Sequence, residues 1–224
     1  MSSLKEINSI LGLENSQNII FVYCPPKVGS TTLVSTLRFW GSKIYKVVHV
    51  HDEIVINVLC KRKDVSILDM IQYNKSVGKK VWVIDIFRSP IEMKMSVFFE
   101  NLCHVHFNAK EEDVRNKPMI VLKQRFDFIF EHIGNEDYYR DIYPLHDEDD
   151  IPWGGDKGYI QIEKDGVQYI KLRLQDAEKW GSILSPLLKI EIQTIKDNET
   201  VHSSGLGDLY NRFKSEYKLS LIHI

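Results

Sequence analysis

Apolar residues along this 224-residue chain follow two rhythms, and the rhythm changes at turn residues. Residues 18–24, NIIFVYC, form a short continuous apolar run, rich in β-branched and aromatic side chains, that stops at Pro25-Pro26. Such a run predicts a buried strand of a parallel sheet. Residues 44–50 and 81–87 predict a second and a third strand. Between the strands helical spacing takes over. Leu33, Leu37 and Trp40 recur after Gly29 and end at Gly41, and a weaker helical stretch runs from about 53 to 73. Ser89-Pro90-Ile91-Glu92 reads as a helix start, with Ser89 as cap, Pro90 in the first turn and Glu92 closing a capping box. Ile91, Met95, Phe98 and Leu102 supply its apolar stripe, and a further helix follows Pro118 through Leu122, Phe126, Ile129 and Ile133.

Residues 135–157 break the pattern: they are acidic and aromatic, with Asp147-Glu148-Asp149-Asp150 and Trp153-Gly154-Gly155, and predict a long loop. Strands at 159–163 and 167–174 flank Lys164-Asp165-Gly166, a hairpin turn. A helix near 176–184, a strand near 189–194 and a last helix striped by Leu206, Leu209, Tyr210, Phe213 and Tyr217 complete the pattern. Strands alternating with helices predict an α/β fold, a parallel sheet flanked by helices with a small β-hairpin in the second half. There is no internal repeat, and the expectation is a single domain over 1–224 with 135–157 as an excursion.

Charge narrows the partners. Lys and Arg number 29 against 31 Asp and Glu, a net charge of −2, which argues against bulk coating of nucleic acid or anionic membrane. Three cysteines cannot build a disulfide framework and fit a reducing compartment. The start of the chain lacks the basic-then-apolar pattern of a signal peptide, and no apolar run approaches a membrane span. The expectation is a soluble cytoplasmic protein with no nucleic-acid partner.

The most informative stretch is the turn from the first strand to the first long helix. Lys27, Val28, Gly29, Ser30, Thr31 and Thr32 follow Pro25-Pro26. A strand–loop–helix turn aims backbone N–H groups and the positive helix end at one point. Gly29 permits close approach, the hydroxyls donate, and Lys27 adds a cation, so the chemistry suits phosphate or sulfate. The order differs from a Walker A loop, which places Gly-Lys-Ser/Thr at its end. Lys27 here precedes Gly29 by two residues, which disfavours an ATPase.

That order, Pro26-Lys27-Val28-Gly29-Ser30-Thr31-Thr32-Leu33, resembles the loop of sulfotransferases that use 3′-phosphoadenosine 5′-phosphosulfate (PAPS). In that family the loop holds the 5′-phosphosulfate. A second family motif, an Arg at the end of a later strand with a Ser eight residues on, is matched by Arg88 and Ser96 and holds the 3′-phosphate. Asp137-Tyr138-Tyr139, Lys157-Gly158-Tyr159, Leu172-Arg173-Leu174-Gln175-Asp176 and the last helix resemble a short branch labelled capsular polysaccharide synthesis proteins. The resemblance implies a P-loop NTPase-like sulfotransferase fold, PAPS as donor without a metal, and a carbohydrate or other small-molecule acceptor.

Sulfuryl transfer needs the donor held in line, its charge stabilised and the acceptor deprotonated. Lys27 suits the leaving phosphate. For the base, the second strand ends in His49-Val50-His51-Asp52-Glu53, and both histidines fall on one face of the strand. His51 at the strand exit is the first choice, with His49 and Glu53 behind it. His104 and His106 form a second His-x-His pair without a recognised metal spacing. Cys24 reads as a core residue, and 147–150 as a solvated loop or a site for a cationic acceptor. Two other functions fit the loop: a nucleotide kinase-like phosphotransferase using ATP and magnesium, and a non-catalytic nucleotide-binding protein of polysaccharide assembly.

Overall fold

The structure, a computed structural model, describes residues 2–61, 65–134, 136–146, 158–195 and 205–217. In chain order they form α1 (Ser2–Ile10), β1 (Asn18–Tyr23), α2 (Ser30–Gly41), β2 (Lys46–Val50), α3 (Ile54–Cys60), α4 (Ile67–Ser76), β3 (Lys80–Phe87), α5 (Pro90–Glu100), α6 (Glu111–Arg115), α7 (Met119–Ile129), α8 (Glu136–Asp141), β4 (Tyr159–Lys164), β5 (Val167–Arg173), α9 (Trp180–Leu188) and α10 (Gly207–Glu216). A π-helical turn spans Leu102–His106, and 3₁₀ turns span Phe130–His132, Tyr143–His146 and Leu174–Lys179.

The chain divides into two compact units. The first, Met1–Arg88 with Asn135–Asp197, carries a five-stranded sheet in the order β2-β1-β3-β5-β4. β2, β1, β3 and β5 run parallel, and β4 is antiparallel at the edge. β1 lies between β2 and β3, with Phe21 opposite Val48 on one side and Val83 on the other, so Ile19 to Tyr23 are all buried. That central place is why β1 has no polar alternation. The β4–β5 turn has Asp165 at φ 52° and Gly166 at φ 70°, the two positive angles of a type I′ hairpin. Beneath one face, Phe21, Tyr23 and Val83 pack with Met70 and Ile71 of α4 and with Tyr138 of α8.

The second unit, Ser89–Gly134 with Asn198–Ile224, is helical among its described residues. Phe98 of α5, Phe126 of α7 and Phe213 of α10 form its aromatic centre, with ring centroids 5.2–6.0 Å apart.

Several elements differ from the sequence expectation. The stretch at 53–73 is two helices, and Ser66 starts the second: its hydroxyl accepts from Asp69 N at 3.0 Å while Ser66 N donates to Asp69 Oδ2 at 2.9 Å. The box expected at Ser89 does not form. Pro90 opens α5, but Ser89 makes no side-chain cap, and Glu92 pairs with Lys214 of α10 at 2.5 Å. Residues 189–194 join no strand. Ile190 N donates to Ser185 O at 3.3 Å and Ile192 N to Ser185 Oγ at 3.0 Å, while Thr194 Oγ1 accepts from Gly181 N at 3.0 Å. Side-chain oxygens there do the work of a ladder, which β-propensity cannot foresee. The first part of 135–157 is α8 and a 3₁₀ turn. The acidic run at 147–150 and Trp153-Gly154-Gly155 lie outside the described residues.

Asp85 of β3 and Lys171 of β5 are register partners, and both are fully buried. Removing one of two buried opposite charges costs about 3–5 kcal/mol, whereas replacing both with apolar groups is close to neutral. Lys171→Met is therefore expected to lower unfolding stability on that scale. Asp85→Leu combined with Lys171→Met should recover most of the loss in urea titrations. A double variant as unstable as the sum of the two single ones would show that the charges are not coupled.

Candidate functional site

β1 stops where Pro25 and Pro26 can no longer donate to a ladder. Its last contact is Cys24 N to Val50 O at 3.4 Å. The loop that follows contains two left-handed residues, Lys27 at φ 63° and Gly29 at φ 84°, with Val28 buried between them. A side chain at position 29 would be strained at that φ, and its Cβ would lie 2.7 Å from Leu174 Cδ1, which would have to shift. Gly29 is the N-cap of α2 and offers no side-chain oxygen to it. The first turn, with Ser30 buried and Thr31 exposed, therefore presents its N–H groups without the usual cap. Left-handed turns of this kind gather N–H groups into an anion-binding hollow.

From β1 the chain crosses to β2 on one side, while β3 lies on the other. The loop after β1 thus sits where the strand order reverses, at the carboxyl ends of the strands, the usual crevice of an open α/β sheet. Arg88, just past β3, spans that crevice: its Nη1 donates to Lys27 O at 2.6 Å.

The β2 exit supplies the imidazoles. His51 Nδ1 lies 2.7 Å from Cys24 O. A carbonyl can only accept, so Nδ1 carries the proton and Nε2 is left as the basic nitrogen. The His49 ring meets the His51 ring edge-on at 4.6 Å. Burial, then the neighbouring His51 and Arg38, pushes the His49 pKa down to about 4, so this imidazole stays neutral at pH 7. Glu53 Oε1 accepts from Arg140 Nη2 at 2.8 Å, and the same guanidinium forks onto Asp141 Oδ1 and Oδ2 at 2.6 and 2.9 Å. Glu53 is thereby tied to α8. Cys24 is fully buried, and burial together with Asp85 pushes its thiol well up, so it is no nucleophile.

Lys27 to Thr32, Arg88, His49, His51 and Glu53 all belong to the first unit and stand at the exits of β1, β2 and β3. Ser96 is in the second unit, half-buried on α5. His104 and His106 are there too, on the π-helical turn, with His106 stacked on Phe98 at 4.8 Å. Among the described residues no three His, Cys, Asp or Glu gather as metal ligands, and no helix is long and apolar enough to cross a membrane. Sequence reasoning missed the Cys24 carbonyl, which orients His51, and Arg140, which occupies Glu53. Neither has a local signal, since both partners come from distant segments. Comparison with known proteins returns no match to any family model, curated protein or solved structure.

His49 makes stability depend on pH. Its folded pKa of about 4 lies below the free value of 6.5, so between these limits the unfolded chain binds the proton first. This contribution is complete above pH 6.5 and is lost as pH falls toward 4. His49→Gln is expected to flatten that part of the wild-type stability profile, measured by urea midpoints from pH 4 to 7.5. An unchanged slope would mean that His49 titrates normally.

Proposed function

We propose that this chain is a PAPS-dependent sulfotransferase that passes a sulfuryl group to a hydroxyl or amine, with a carbohydrate as the favoured acceptor. The observation that carries the reading is the Lys27–Thr32 loop: two left-handed residues before a helix that lacks a side-chain cap, braced by Arg88 at the sheet's switch point. The hollow fits an anionic phosphosulfate in charge and in donor supply. The carbohydrate preference and the P-loop-like sulfotransferase fold rest on the sequence resemblance.

In this reading the donor supplies the sulfuryl group, whose bond to the 5′-phosphate oxygen breaks as a bond to the acceptor oxygen or nitrogen forms. The N–H groups and hydroxyls of Ser30, Thr31 and Thr32 hold the phosphate end. Lys27 neutralises the charge that grows on the departing phosphate. Arg88 fixes the loop through Lys27 O and turns its fork toward a second phosphate. His51 Nε2 takes the acceptor proton, with the ring oriented by the Cys24 carbonyl. His49 is the poorer base because its proton affinity is already depressed.

Lys27→Ala and His51→Ala should each lower transfer about 100-fold or more. His51→Ala should leave affinity for 3′-phosphoadenosine 5′-phosphate unchanged. Calorimetry should show that nucleotide binding without magnesium and more tightly than AMP. Arg88→Ala should weaken both nucleotides, because the loop loses its brace, and should reduce the preference between them. Equal affinity for the two, or magnesium-dependent ATP binding tighter than either, would rule the sulfotransferase out and favour a kinase-like phosphotransferase.

A further inference from the structure

β2 is an outer strand, and among the described residues no strand pairs with its far edge. Within a strand the N–H and C=O of one residue point the same way, and successive residues alternate. Val50 O faces β1, where Cys24 N meets it, so Val48 faces β1 as well. Val47 and His49 therefore turn their main-chain groups outward. Arg38 Nη2 reaches Val47 O from that side at 3.4 Å.

A groove of about 490 Å³ follows this edge. The pleat of β2 divides its lining in two. One side is apolar: Phe21, Val48 and Ile56 belong to the core cluster on that face, and Leu59 of α3 extends it into solvent. The other side carries Arg38 and His49, whose Nε2 is buried without a hydrogen-bond partner. Lys46 stands at the start of the strand, and no carboxylate lines the groove among the described residues.

We propose that this edge binds an extended peptide segment whose alternate side chains are apolar and acidic. Such a strand matches every feature of the groove at once. Its main chain pairs with the outward groups of Val47 and His49. Every second side chain enters the apolar side, and the intervening carboxylates face Arg38 and the His49 Nε2–H. A compact amphiphile would fill one side and leave the strand edge unpaired. A second copy of β2, Lys-Val-Val-His-Val, would bring cations together with no acid to meet them. No residue of the phosphate loop takes part, so the inference stands apart from sulfuryl transfer.

The probe is a fluorescently labelled, end-blocked Val-Glu-Val-Glu-Val peptide, followed by anisotropy and by amide shifts of the full chain. Saturable binding that moves the Val47 and His49 amides is expected. N-methylating the Val amides removes donors from one edge of the peptide, and N-methylating the Glu amides removes them from the other. One set should weaken binding by about tenfold or more while the other leaves it unchanged. Val-Lys-Val-Lys-Val should not bind, and Arg38→Glu should invert that charge preference. The proposal is overturned if both methylated sets behave alike, if the Lys peptide binds equally, or if the Glu peptide fails to bind. It is equally overturned if dodecanoate or self-association moves Val47 and His49 where the peptide does not.

Discussion

A carboxylate that water cannot reach organises the first unit. Asp85 sits on β3, fully buried, one strand away from the loop after β1. An unpaired charge there would cost far more than any single contact returns. Tyr138 of α8 donates its hydroxyl to Asp85 Oδ2 at 2.8 Å, and the buried Lys171 is its register partner on β5. Burial and the Asp85 charge push the Tyr138 phenol far up, so it remains a donor at every accessible pH. The chain leaves the first unit at Arg88 and returns at Asn135, and this requirement gives the returning segment its place.

From Tyr138 the same logic runs outward to the site. Its ring packs edge-on against Tyr23, and the Tyr23 hydroxyl donates to Asp141 Oδ2 at 3.2 Å. Arg140 then joins Asp141 to Glu53, just beyond β2. The exits of β1 and β2 are thus tied to α8 by polar contacts, while the exit of β3 is tied to the loop by Arg88. A loop holding two left-handed residues is held in a sparsely populated conformation, and it persists only where surrounding contacts over-determine it. Leu174 behind Gly29 and Arg88 on the Lys27 carbonyl supply that constraint.

What was legible in the sequence follows from the range of each interaction. Residues 18–23 read as a buried strand because a central strand shows its burial in its own composition. Gly29 and the hydroxyls after it announced the loop, and Asp165-Gly166 announced the hairpin, because turn chemistry is local. Glu92 was misread because a capping box and a salt bridge to Lys214 use the same carboxylate, and only the fold chooses between them. Residues 189–194 looked like a strand because nothing local reveals that Thr194 and Ser185 supply the hydrogen bonds instead. Nothing near Glu53 in sequence reveals that Arg140, 87 positions along the chain, pairs with it.

The two histidines of β2 show the same sorting by environment. The His51 ring, 4.6 Å away, disfavours a charge on His49. Burial comes first and Arg38 adds to it, so His49 stays neutral down to about pH 4. The strand thus divides an otherwise equivalent pair. His49 faces the outer edge as a neutral polar group. His51, two residues on, is anchored through Nδ1 by the Cys24 carbonyl.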